Sequence, residues 1–245
     1  MSFHPQPFSL AKAWPNTLKE MAESNLLSEL AATLYGNDPY RKPDIYLREY
    51  DRLFEPLRLL PIRFLELGVH EGASMTIWEK YFPLATVIGL DAHPKPASFP
   101  TNKRFHFVHG EQDNAVPLDQ AIAIAGAPFD IIIDDCSHFG CHTARSFAHL
   151  FTKGLSPGGL YIIEDICTAF TSGGGWDAAP FEPPEIGLPG MPKIFPSHQN
   201  GMVGLIKQLF DHAQAPTAAG AYTEYPIERL TVMTNFAVLH KAKEQ

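Results

Sequence analysis

The sequence predicts an α/β protein: a mostly parallel sheet with helices on both faces and an antiparallel pair of strands closing the chain. Three observations predict it. Five short β-rich segments alternate with segments of helical periodicity between residues 63 and 165, as right-handed βαβ crossovers require. The fourth and fifth, "FDIIIDD" and "GGLYIIED", are almost continuously apolar until their last residues, which fits strands buried on both faces. All five then run into polar or glycine-rich sequence, and the carboxyl ends of the strands are where open parallel sheets bind ligands.

Each element follows from its local pattern. Residues 10–35 and 45–58 carry apolar residues at helical spacing, and they make residues 1–58 a helical segment ahead of an α/β domain over 59–245. Strand one is "RFLELGV" (63–69), followed after Gly72 by the helix "SMTIWEKYF". Strand two is "ATVIGLDA" (85–92) and strand three "RFHFVHG" (104–110), with the helix "LDQAIAIAG" after it. Strand four is "FDIIIDD", its helix contains "ARSFAHLFTKGL", and strand five is "GGLYIIED" (158–165). Residues 171–200 are too dense in Gly and Pro for a regular element; a loop of that length in a compact domain is usually functional or disordered. We expect it to act as a lid over an acceptor, with Trp176, Phe181 and Phe195 as contacts or core anchors. The helix "GMVGLIKQLFDHA" and the strands "IERLTVMT" and "FAVLHKA" complete the chain.

Composition narrows the classes. With 19 basic and 27 acidic residues among 245, the formal charge is −8, which offers no general basic footprint for nucleic acid or an anionic membrane. No apolar run approaches the roughly 20 residues of a membrane span. The N-terminus lacks a basic segment followed by an apolar stretch, so we expect no secretory signal. Three cysteines, Cys136, Cys141 and Cys167, suit a reducing cytoplasm better than a disulfide framework.

The strand ends carry the candidate chemistry. "LELGVHEGAS" places Glu66, Gly68, Gly72 and Ser74 around the first turn, where glycines admit a ligand to the backbone and the next helix offers free amides. A plain tight turn reads almost as well. Asp91 ends strand two, 25 residues beyond Glu66 (91 − 66), where an acid can accept hydrogen bonds from ribose hydroxyls. A dinucleotide fold calls for G-x-G-x-x-G; this chain has G-x-x-x-G. Strand four delivers Asp134, Asp135 and His138. Neighbouring side chains on a strand point to opposite faces, so the two aspartates need not share a role. Strand five delivers Glu164 and Asp165. Adjacent acids at strand ends also serve as helix caps. "CSHFGCH" offers Cys136, His138, Cys141 and His142 to zinc, though four ligands within seven residues is a poor spacing for it.

The G-x-x-x-G turn, the acid after strand two and the "GEQ" of residues 110–112 resemble the motifs of class I S-adenosylmethionine-dependent methyltransferases. The stretch "FDIIIDDCSHFGCHTARSFAHLFTKGLSPGGLYIIEDICTAF", with "LYGNDPY", "GLIKQLFDH" and "LTVMTNFAVLHK", resembles more narrowly the metal-dependent sugar O-methyltransferases of macrolides of the mycinamicin and tylosin type. Mycinamicin-type enzymes have an extra N-terminal domain, which this chain is too short to include, and "GEQDN" departs from their run after strand three. The resemblance implies a class I methyltransferase fold. It implies that Glu66, Gly68, Gly72, Ser74, Asp91, Gln112 and Asp134 lie on the S-adenosyl-L-methionine side, that Asp135, Glu164 and Asp165 hold Mg²⁺, and that His138 is the general base. The acceptor it implies is a hydroxyl on a sugar of a glycosylated natural product, as in antibiotic biosynthesis, with no nucleic-acid or membrane partner and with a homo-oligomer left open. A catechol-like acceptor, a non-catalytic cofactor- or nucleotide-binding module and an NAD-dependent dehydrogenase are the rivals.

Overall fold

The computed structural model describes residues 26–36, 42–170, 201–214 and 223–243. Residues 10–25 of the helix expected over 10–35, residues 37–40 of "LYGNDPY" and the 171–200 loop with Trp176, Phe181 and Phe195 lie outside them. The chain divides into two compact units, residues 1–56 and 57–245. In the first, helix α1 (Leu26–Tyr35) packs on helix α2 (Asp44–Phe54), and the Asp51 carboxylate accepts from the Leu26 amide at 3.1 Å. The 3.6-residue spacing of Tyr46, Leu47, Tyr50 and Phe54 buries one face of α2.

The second unit is a seven-stranded sheet in the order β3-β2-β1-β4-β5-β7-β6. Strands β1 (Arg63–Leu67), β2 (Thr86–Asp91), β3 (Phe105–His109), β4 (Phe129–Asp134) and β5 (Leu155–Ile163) run parallel. Strand β7 (Phe236–Lys241) is antiparallel to both β5 and β6 (Ile227–Met233), so the last strand of the chain lies inside the sheet. This is the class I methyltransferase arrangement.

Period-two alternation along β1 decides which face each residue serves. Leu65 and Leu67 join the large core with Ile132, Tyr161 and Ile163, under helices α4 (Ala115–Ala125), α5 (Gly140–Lys153) and α6 (Gly201–Gln214). On the other face Phe64 packs with Trp78 and Phe82 around helix α3 (Ala73–Tyr81), at ring-centroid distances of 5.2 and 5.5 Å. Helix α5, which contains the expected "ARSFAHLFTK", begins at Gly140, where a β-carbon would fall 2.3 Å from the Gly201 backbone, so glycine lets the two helix starts meet. The strand order reverses between β1 and β4. There Gly68, at φ +91°, follows β1, and the Asp135 amide donates to Leu67 O at 2.9 Å. That juncture is the topological switch point, where such sheets bind ligands.

Candidate active site

The turn after β1 is held by Asp91. One carboxylate oxygen accepts from the Val69 and His70 amides at 2.8 Å each; the other meets the His93 amide at 2.7 Å and the His93 ring at 3.1 Å. Burial opposes ionisation of this acid, but the hydrogen bonds from His93, His70 and Val69 outweigh it and hold the carboxyl below its usual range. Asp91 thus tensions the G-x-x-x-G turn from below, with His70 in the left-handed region at φ +46°. Gly72, at φ +82°, is the N-cap of α3, and Ser74 stands on that helix's first turn. Glu66 is fully buried and accepts from Trp78 Nε1 of α3 at 2.7 Å.

Asp134 and Asp135 part company as pleating demands. The Asp134 side chain is buried and accepts from Gln112 Nε2 at 2.9 Å, Ser146 Oγ at 2.8 Å and the Tyr161 hydroxyl at 3.0 Å. Burial raises its pKa against those three donors, and burial beside Asp134 pushes the Tyr161 hydroxyl well up. Gln112 also accepts from the Ser137 amide through Oε1 at 2.8 Å. The pair therefore clamps the base of the loop that carries Asp135 and His138. Sequence reading did not single out Tyr161 or Ser146, although a tyrosine inside the apolar run "LYII" was the available signal for a buried polar partner. Alanine at Asp134 takes the shared acceptor from three buried donors and leaves Gln112 and Tyr161 only long contacts of 3.4 Å to Ser146 Oγ. At about 1–3 kcal/mol for each unsatisfied group, urea unfolding is expected to show a loss of at least a few kcal/mol.

Asp135 goes the other way. It, His138 and Asp165 form a group whose ligand atoms all lie within 4.8 Å of one another, the group of this kind found among the described residues. His138 Nε2 stands 3.6 Å from Asp165 Oδ2. Both residues are in the left-handed region, at φ +57° and +55°. Non-glycine residues seldom adopt that conformation, and when the surroundings impose it the site is usually functional. The surroundings are visible here. Thr168 Oγ1 lies 3.1 Å from His138 O and 3.0 Å from Asp165 O, and so ties the two loops together from the 3₁₀ turn Ile166–Phe170. Strand β5 ends at Ile163, so Glu164 and Asp165 both lie beyond the ladder. Glu164 remains buried, with its amide donating to Asp134 O at 3.0 Å, and is not part of the three-residue group.

Of the residues expected on the strand ends, the structure gathers Asp135, His138 and Asp165 into one spot. It gives Glu66, Gln112 and Asp134 partners within the protein, and puts Asp91 under the turn after β1. The zinc ligand set does not assemble: Cys136 is mostly buried, its thiol pushed far up by burial and the nearby aspartates, while Cys141 is exposed. Two carboxylates on half-exposed loops suit a hard divalent cation, with the imidazole beside them. Mg²⁺ is commonly held by one or two carboxylates and keeps its remaining positions for water and substrate.

No protein-family model matches the sequence. Mycinamicin VI 2''-O-methyltransferase of Micromonospora griseorubida is 36% identical over 207 residues, 79% of this chain and 47% of its own. Demethylmacrocin O-methyltransferase of Streptomyces fradiae is 34% identical over 205 residues, 78% of this chain and 47% of its own. Among solved structures, the MycE methyltransferase of the mycinamycin biosynthetic pathway, in complex with Mg, SAH and mycinamycin VI, matches with a TM-score of 0.71 at 31% identity, over 91% of this chain and 55% of that one. The chain spans about half the length of the curated relatives it matches.

Proposed function

We propose that the chain, which has the class I methyltransferase fold and resembles the sugar O-methyltransferases of antibiotic biosynthesis over the half of their length that it spans, is a Mg²⁺-dependent O-methyltransferase that uses S-adenosylmethionine to methylate a sugar hydroxyl of a glycosylated natural product. The observation that carries the reading is the convergence of Asp135, His138 and Asp165 beside the switch point of the sheet.

In this reading Gly68, Gly72 and Ser74 border S-adenosyl-L-methionine, with Asp91 beneath them. Asp135 and Asp165 hold the cation, and Glu164 is the third carboxylate. When bound, the nucleoside donates its methyl group and the cation orients the acceptor hydroxyl and lowers its pKa. His138 takes the hydroxyl proton at Nε2 as the oxygen attacks. The Asp165 carboxylate, 3.6 Å away, balances the positive charge that forms on the ring. Holding both reactants in line supplies much of the remaining acceleration. Among the described residues no helix is long and apolar enough to cross a membrane; the proposed setting is the cytoplasm, with a small glycosylated acceptor as the partner and neither nucleic acid nor membrane.

Calorimetry with S-adenosylhomocysteine tests the cofactor half. Binding is expected for the unaltered chain and should be lost or much weakened in Asp91→Ala, because the Val69 and His70 amides lose their common acceptor. Tight binding of NAD with none of the sulfur nucleoside would reject the reading. A stability effect accompanies it. The folded-state pKa of Asp91 is depressed, so its contribution is full above the ordinary carboxylate range and is lost as pH falls through the lowered value. The stability gap between the unaltered chain and Asp91→Asn should therefore be present at neutral pH and close in acid, as read from urea midpoints across pH.

A further inference from the structure

Asp165 is gripped from the far end of the chain. Asn235 lies in the two-residue turn that joins β6 to β7, between the paired Met233 and Phe236. Its Nδ2 donates to Asp165 Oδ1 at 2.9 Å, its Oδ1 accepts from the Cys167 amide at 2.7 Å, and its carbonyl accepts from the Ile166 amide at 3.0 Å. The oxygen that Asn235 holds is not the one that faces His138; that one is Oδ2. Fixing Oδ1 therefore fixes the side-chain torsion that turns Oδ2 into the group formed with Asp135 and His138. The turn residue is itself left-handed, at φ +71°, which asparagine tolerates and which aims its amide at the acid.

We propose that Asn235 is a positioning residue for the cation site: the β6–β7 turn orients the Asp165 carboxylate and so sets the affinity for the metal. This rests on the reading of Asp135 and Asp165 as cation ligands. A turn alone does not require the amide, since glycine adopts φ > 0 at no steric cost. What glycine lacks is the donor to Asp165. Groups that orient a ligating side chain typically change metal affinity by about 10–100-fold when removed.

The test uses Mn²⁺, a hard dication with a spin-resonance signal, titrated into the unaltered chain and Asn235→Gly, with S-adenosylhomocysteine affinity measured on both by calorimetry. The expected result is Mn²⁺ binding weakened by about 10–100-fold in the variant, with nucleoside affinity unchanged. Equal Mn²⁺ affinity in the two proteins would overturn the inference and leave the cation site standing. A parallel loss of nucleoside binding would show a general structural role and overturn it too. No Mn²⁺ binding by the unaltered chain would sink the cation site itself, and the inference with it.

Discussion

Alanine at Asp135 or at Asp165 is expected to reduce methyl transfer to the level left by a chelator, while S-adenosylhomocysteine still binds. In the proposed site both carboxylates would face the cation, and losing either removes fixed negative charge that offsets its dehydration. Added Mg²⁺ should restore the chelated protein and not the variants. Glu164→Ala should join them if its buried carboxylate swings to the metal as the third ligand. His138→Ala should behave differently. It removes a proton acceptor, so turnover is expected to fall by about a hundredfold to ten-thousandfold with cation binding retained. Full activity after confirmed metal removal would reject the metal role; near-normal turnover by His138→Ala would hand the proton to another group or to water.

Gly68→Ala should be the most damaging small change in the fold. Its β-carbon would fall 2.0 Å from Asp135 O and 2.6 Å from Asp135 C, where the obstacle is backbone and cannot swing aside. The residue also sits at φ +91°, where any side chain is strained. Left-handed strain of about 1–2 kcal/mol and overpacking of about 1–3 kcal/mol together predict a loss of about 2–5 kcal/mol in urea unfolding. Unlike Asp165→Ala, this variant should lose nucleoside and cation binding together, because the displaced segment belongs to both sides of the site. Retention of either affinity at the unaltered level would show that the β1 and β4 loops are less tightly coupled than their contact implies.

The alternation of strands and helices was legible because burial on two faces and helical periodicity leave different patterns in sequence. Boundaries were less so. Strand five was expected over 158–165, yet β5 starts at Leu155, pairs with Phe129 across a register shift before the apolar run, and ends at Ile163. Asp135 and Asp165 were named through the family resemblance; that their carboxylates come together with His138 depends on the loops beyond β4 and β5. The left-handed backbone at His138 and Asp165 was not legible, because it is imposed by Thr168 and by Asn235, the latter 70 residues away along the chain from Asp165. Gln112 and Asp134 were read as facing the cofactor. Their shared hydrogen bonds with Ser146, Tyr161 and Ser137 depend on burial and on which way a pleat turns, and neither is written in a run of polar letters.

The position of β7 inside the sheet has a consequence for synthesis. Leu160, Tyr161, Ile162 and Ile163 of β5 pair with β7 through its residues 237–240. A nascent chain that has emerged only through β5 can assemble the five parallel strands, but one edge of that sheet is then β5, with its apolar run Leu160–Ile163. At about 5–20 residues per second, the 78 residues from Ile163 to Lys241 (241 − 163) keep that edge uncovered for on the order of ten seconds. An open apolar edge is a template for pairing with another chain. Crowded expression, or a stop codon ahead of Phe236, should therefore favour insoluble protein far more than the small mass of the missing strand suggests, and slower initiation or a bound holdase during that interval should recover it.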